Sequence, residues 1–125
     1  DRYTVSVEDM KRGARFEDAV CRATFCVDLH PPDKSSGGIS SEGVRTLPYD
    51  IPLRSLVARD VEGLLLAGRC ISGDYLAHSS YRVTGNAVAL GEAAGVCAAL
   101  AAARGCLPAE VPSDEVRSRL PQLPA

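Results

Sequence analysis

LLLAGRCISGDYLAHSSYRVTGNAVALGEAAG, from Leu64 to Gly95, is the stretch whose reading decides the fold. It opens on an apolar run, Leu64 to Ala67, with no polar face. Such a run predicts a short strand buried in a parallel sheet. Gly68 follows and allows close backbone approach. A polar segment then leads to Thr84-Gly85-Asn86, which opens a run rich in Ala and Leu. Both residues favour helix, so Asn86 to Ala103 is the strongest helical prediction in the chain. Arg104 and Gly105, with Pro108 beyond, supply a basic last turn and a stop.

A strand end beside a helix start is a place for a ligand. Ligands of open α/β sheets sit beyond the carboxyl ends of strands. The first amides of a helix have no partners within it and lie at the positive end of its dipole. Together they form a site for negative charge. The spacing alone is equally compatible with a phosphate or with no ligand.

Outward from this stretch, Ser6 and Asp9 form a capping-box pattern, predicting a short helix over Val7 to Lys11. Arg15 to Arg22 predicts a further helical turn or two, and Ala23 to Leu29 a strand. His30 to Gly43 is rich in Pro, Ser and Gly and reads as a loop, either a solvated connection or a lid. Leu47 to Leu56 carries two prolines and is expected to be extended, with edge or turn character. Val61 to Gly63 is a turn candidate. Ser113 is the expected cap of a last helix ending at Leu120.

Composition narrows the function. The 125 residues fit one domain, with 46% hydrophobic and 24% charged residues. The formal net charge of −2 gives no broad basic field for nucleic acid or acidic lipid. With no Trp and 5% aromatics, a single-strand stacking platform is not expected. The five cysteines show no CxxC spacing, which argues against a zinc site or a disulfide framework and for reduced thiols in a cytoplasmic protein. Asn86 to Ala103 approaches the length of a membrane span, but Glu92, Gly91 and Gly95 interrupt it, so no membrane is expected. Its small residues predict close approach to a neighbouring backbone. The patterned start at Asp1 suggests a piece of a longer parent.

At this point the residues carry a resemblance. Ala67-Gly68-Arg69, Ile71-Ser72, Arg82-Val83, Ala89-Leu90-Gly91 and Ala93-Ala94-Gly95 stand in an order that resembles the C-terminal flavin segment of FAD-dependent oxidoreductases with the glutathione-reductase-like fold. Upstream, YDIPLRSLV and the segment ending at Asp28-Leu29-His30 resemble the same family. The resemblance implies an α/β fold: the C-terminal portion of a three-layer, Rossmann-like FAD/NAD(P)-binding domain with part of a substrate region. Residues 1–56 would be the substrate-side or connecting segment, 57–106 the FAD-domain portion, and 107–125 a final helix and tail.

The same resemblance implies FAD as cofactor. Gly68 and Arg69 would lie by its ribitol and pyrophosphate, although related fumarate-reductase-like proteins carry an acid where Arg69 stands. Val83, Thr84, Gly85, Asn86 and Ala87 would face the isoalloxazine, with backbone amides near N1 and O2, and no metal is implied. Arg82 matches an Arg that meets substrate carboxylate in those more distant proteins. Its alternative is an ion pair with Asp74 or Glu92. His78 would orient substrate or relay a proton, or be a plain loop residue. His30 is expected at a turn, and Tyr49, Tyr75 and Tyr81 either donate to substrate or pack.

No G-x-G-x-x-G occurs in the sequence, so the βαβ unit that holds pyrophosphate and adenosine is lacking. The expected partner is therefore an N-terminal FAD-binding portion, in the same parent chain or another subunit. The expected reaction is hydride transfer with a small organic substrate, and a homo-oligomer is compatible. The alternative is a noncatalytic interaction module that docks through its Ala-rich helix.

Overall fold

The computed structural model describes residues 2–30 and 43–124. Most of the expected loop from His30 to Gly43 lies outside the described residues. The first described element is α1, Val7–Arg12, and its capping box is formed. Ser6 Oγ accepts from the Asp9 amide, and Asp9 Oδ2 accepts from the Ser6 amide at 3.0 Å. Gly13 ends the helix in a left-handed conformation, φ 63°.

The chain then departs from the local prediction. Arg15 to Arg22 is not helical; it passes through a turn into β1, Ala19–Ala23. The strand expected over Ala23 to Leu29 therefore begins and ends four or more residues earlier. The reason is pairing: β1 runs antiparallel to β2, Tyr49–Pro52, with Arg22 opposite Asp50 and Ala23 opposite Tyr49. A β-bulge between Ala19 and Cys21 shifts the register. Ala19, Val20, Cys21 and Ala23 are all buried, so no alternation announces the strand. β2 is extended, as its prolines predicted, and ends at Pro52 in a short 3-10 turn, Leu53–Ser55.

Leu64 to Ala67 does not form a strand of a parallel sheet. Its only pairing among the described residues is an antiparallel bridge from Leu65 to Val57. Leu64 is exposed and Leu65 to Ala67 are half-buried, so the run has no sheet on either side here. Gly68–Cys70 is a 3-10 turn. The segment expected as a loop down to Thr84 instead contains a helix, α2, Tyr75–Tyr81. Asp74 caps it: Oδ1 accepts from the Ala77 amide at 2.8 Å, while Oδ2 accepts from the Val7 amide at 2.6 Å. One carboxylate thus starts α2 and fastens it to α1.

The long helix α3 spans Thr84–Arg104, two residues earlier than expected at its start, and Gly105 closes it at φ 65°. The last helix, α4, covers Ser113–Ser118; Pro112 is its cap, and Ser113 is already inside it. Arg117 of α4 donates to the Ala19 carbonyl at 2.8 Å, tying the carboxyl end to β1. One apolar core joins these elements, including Met10 of α1, Ile51 of β2, Ala77 and Tyr81 of α2, Leu90 and Cys97 of α3, and Val116 of α4. The result is a small α/β fold of helices around a two-stranded sheet.

Candidate flavin-facing site at the amino end of α3

Three features meet where α2 turns into α3. Val83 is the N-cap of α3, in extended conformation, and it offers no side-chain acceptor. The Ala87 amide bonds back to the Val83 carbonyl at 3.1 Å. The amides of Thr84, Gly85 and Asn86 have no acceptor among the described residues. They stand at the positive end of a helix of 21 residues, so they attract an electron-rich group. A side chain placed on Gly85 would meet nothing within 4 Å. That space is open to an incoming molecule.

Gly68 makes a close backbone approach, and its neighbour is α3. It is buried, with φ +61°, and a Cβ there would lie 3.3 Å from the Cβ of Ala87. The absent side chain lets the turn after Leu64 to Ala67 press against the first turn of α3. Gly68 and Ala87 therefore fix the helix start in place. Arg69, next in sequence, is exposed.

Arg82 pairs with neither Asp74 nor Glu92. Its Nη2 donates to the backbone carbonyl of Asp28 at 2.8 Å, which straps the segment after β1 onto the α2–α3 corner. Ser80 adds a second strap: its Oγ donates to the Phe25 carbonyl at 2.6 Å. With that proton committed, the contact of 2.9 Å between Tyr49 and Ser80 is a donation from the Tyr49 hydroxyl. Tyr49 and Tyr81 are fully buried and pack. Burial pushes the Tyr81 hydroxyl up to about 12, and it donates to the Ile71 carbonyl at 2.9 Å. Tyr49 is raised further, again chiefly by burial. Neither phenol is available for proton exchange near neutral pH. Tyr75 is 75% exposed.

His78 lies in α2, not in a loop, with its ring edge-on to Tyr81 at 5.4 Å. His30 is exposed, 3.6 Å from Asp28 Oδ2. The structure thus gathers Gly68, Val83, Thr84, Gly85, Asn86 and Ala87 at one helix end. Arg82 stands at its corner, committed to the Asp28 carbonyl.

Sequence reasoning placed Asn86 in the site through its backbone amide but missed its side chain and the Cys21 thiol beside it. Asn86 is nearly buried, and its Nδ2 has no partner among the described residues. Its Oδ1 faces the Cys21 thiol at 3.9 Å, a weak contact. Cys21 comes from β1, so only the tertiary fold brings them together. Asp74 as a cap was legible: an Asp just before Tyr-Leu-Ala is a common helix start.

The helix end, the glycine contact and the open space thus lie together in one corner of a small α/β fold. In the family comparison, the sequence profile of the FAD dependent oxidoreductases matches residues 2–120, nearly the whole chain. The chain belongs to that family. No curated protein and no solved structure matches it significantly.

Proposed function

We propose that this chain supplies the ribitol and isoalloxazine side of the FAD site of an oxidoreductase acting on a small organic substrate. The observation that carries the reading is the open amino end of α3, with three unengaged amides and empty space above Gly85. This end suits the acceptor-rich edge of a flavin, because N–H donors and the helix dipole both favour added negative charge. FAD, when bound, supplies the two-electron acceptor chemistry. The chain's own part is to hold and orient. Val83 to Ala87 would face the ring, and Gly68 sets the height of that helix end through Ala87. Arg69, exposed beside it, would meet a phosphate.

The outer face of α3 is the second element of the proposal. Val88 is 66% exposed, and side chains on Gly91 or Gly95 would meet nothing within 4 Å. By length and composition α3 could cross a membrane, and 28% of its most apolar window is buried. We assign the uncovered face to the portion that carries the G-x-G-x-x-G unit, in the same parent or another subunit. Small residues let a neighbouring backbone approach closely there.

The test is flavin retention. The assembly containing the dinucleotide-binding portion should purify yellow, with quenched flavin fluorescence, while the 125-residue chain alone should retain little or no FAD. Gly85→Val puts a branched side chain into the open space, so it should leave the fold intact and strip the flavin from the assembly. A colourless assembly, or full FAD content in Gly85→Val, would overturn the reading.

A further inference from the structure

A cleft of about 200 Å³ opens between β1, the amino-terminal half of α3 and the C-terminal tail from Leu120 to Pro124. Its walls are mostly apolar: Val20, Ala89, Leu120 and Leu123 all line it. Yet two donors on its lining residues are unsatisfied. Asn86 is 9% exposed, with Nδ2 lacking a partner among the described residues. The Arg22 side chain is also 9% exposed, and its Nε has no partner either. Buried donors without acceptors are uncommon and call for an explanation.

We infer that this cleft binds a small carboxylate with a short apolar body, its oxygens taken by the Asn86 amide and the Arg22 side of the cleft. Four observations support a carboxylate. Both unsatisfied groups are donors, so the missing partner is an acceptor. Arg22 bonds Asp50 Oδ1 at 2.8 Å, but Arg15 reaches the same oxygen at 3.2 Å, so two guanidiniums share one carboxylate and the cluster stays positive. The positive end of the α3 dipole adds to this at longer range. Finally, Asn86 Nδ2 is sealed as it stands, and a turn about its soft terminal torsion, giving up the 3.9 Å thiol contact, would bring it to the cleft. Burial, and secondarily Asp50, push the Cys21 thiol up to about 11, so that contact is with a neutral group. Two carboxylates oppose the ligand: Asp50, already answered by Arg15 and Arg22, and Glu92. Glu92 lies at the mouth, exposed and therefore well screened.

Binding at this cleft does not depend on the flavin proposal; only the naming of the carboxylate as substrate class rests on it. The cleft shares Gly85 and Asn86 with the proposed flavin wall, so a ligand here would lie beside the cofactor. The α3 amides would serve the flavin, and the Asn86 side chain would serve the substrate.

The experiment is a titration of the full chain with benzoate, followed by the NMR signals of the Asn86 side-chain amide and the Gly85 backbone amide. Benzamide and benzyl alcohol serve as neutral controls. Saturable shifts with benzoate, and much weaker ones with the controls, are expected. Asn86→Asp keeps the side-chain shape and suits a helix start, so the chain should fold. It should weaken benzoate binding by at least about tenfold through like-charge repulsion. Glu92→Gln should tighten it about twofold to fivefold. Absence of saturation, equal binding of benzamide, or unchanged benzoate affinity in Asn86→Asp would overturn the inference. Flavin retention by the assembly is read separately, so either conclusion can fail without the other.

Discussion

The knot of α1, β1 and β2 and the amino end of α3 handle buried polarity in opposite ways. In the knot, Asp9 is 2% exposed but fully engaged: it takes hydrogen bonds from Ser6, from the Tyr3 hydroxyl at 2.8 Å and from Arg12 at 2.6 Å. Asp50, also buried, receives Arg15, Arg22 and the Phe16 amide. Asp18 pairs with Arg54, whose guanidinium lies over the Tyr3 and Phe16 rings at 4.7 and 4.9 Å. At the α3 end, by contrast, three amides and one side-chain amide stay unanswered. The knot's carboxylates are satisfied by folding alone, while Arg22 Nε, on the residue of β1 that lines the cleft, stays unanswered like Asn86. The unanswered groups at the α3 end are where we place the ligands proposed above.

The two faces of α3 sharpen that contrast, and they give the largest expected effect. Leu90 is fully buried on the core side. Leu90→Ala should cost about 2–5 kcal/mol of stability through lost burial and the cavity left behind. Urea unfolding of the chain measures it. A loss below 1 kcal/mol would mean that this face is not seated on the core.

Asp9 tests the finished region next. Asp9→Ala removes the reciprocal cap and the acceptor for Tyr3, and should cost about 1–3 kcal/mol in the same measurement. It also sets a pH dependence. Burial by itself would raise the Asp9 pKa, but hydrogen bonds from Ser6, Arg12 and Tyr3 outweigh it and hold the group below its ordinary 3.8. A lowered folded-state pKa stabilises fully above the unfolded value. That stabilisation fades as pH falls below about 3.8 toward the folded value. Wild type should therefore lose stability over that acid range more steeply than Asp9→Asn. Equal acid slopes would show that the knot does not hold Asp9 as described.

The smallest effect is on the outer face. Gly91→Leu should raise the stability of the chain alone by about 0.5–1 kcal/mol, since Leu outranks Gly in a helix. In the assembly it should lower FAD content by blocking close approach. Thermal melts of the chain and flavin absorbance of the assembly separate the two. A bulky residue that leaves flavin content unchanged would show that no backbone packs there.

Much of the local structure was legible because its causes are local. Ser6 and Asp9 lie three residues apart and close their own box. Ala and Leu favour α3 whatever surrounds it, and Arg104-Gly105 stops it in left-handed geometry. The β1 boundary was not legible, because a strand buried on both sides has no period and its limits come from β2. Helix α2 was hidden for a related reason. Ser79 and Ser80 look like loop residues, but both are buried, with Oγ donating to the Leu76 and Phe25 carbonyls. Arg82 offered two carboxylates in sequence and took a backbone carbonyl instead.

The sequence by itself determined the family, the open helix end and the glycines around it, since these rest on residue identity and on backbone rules that act within a few positions. Only the tertiary structure decided what each of those residues does. It turned Gly68 toward Ala87, gave Arg82 to Asp28, and set Asn86 against Cys21 with its amide unsatisfied. The physical reason is distance along the chain. Hydrogen-bond partners drawn from dozens of residues away follow from how the core packs, and no local pattern encodes them.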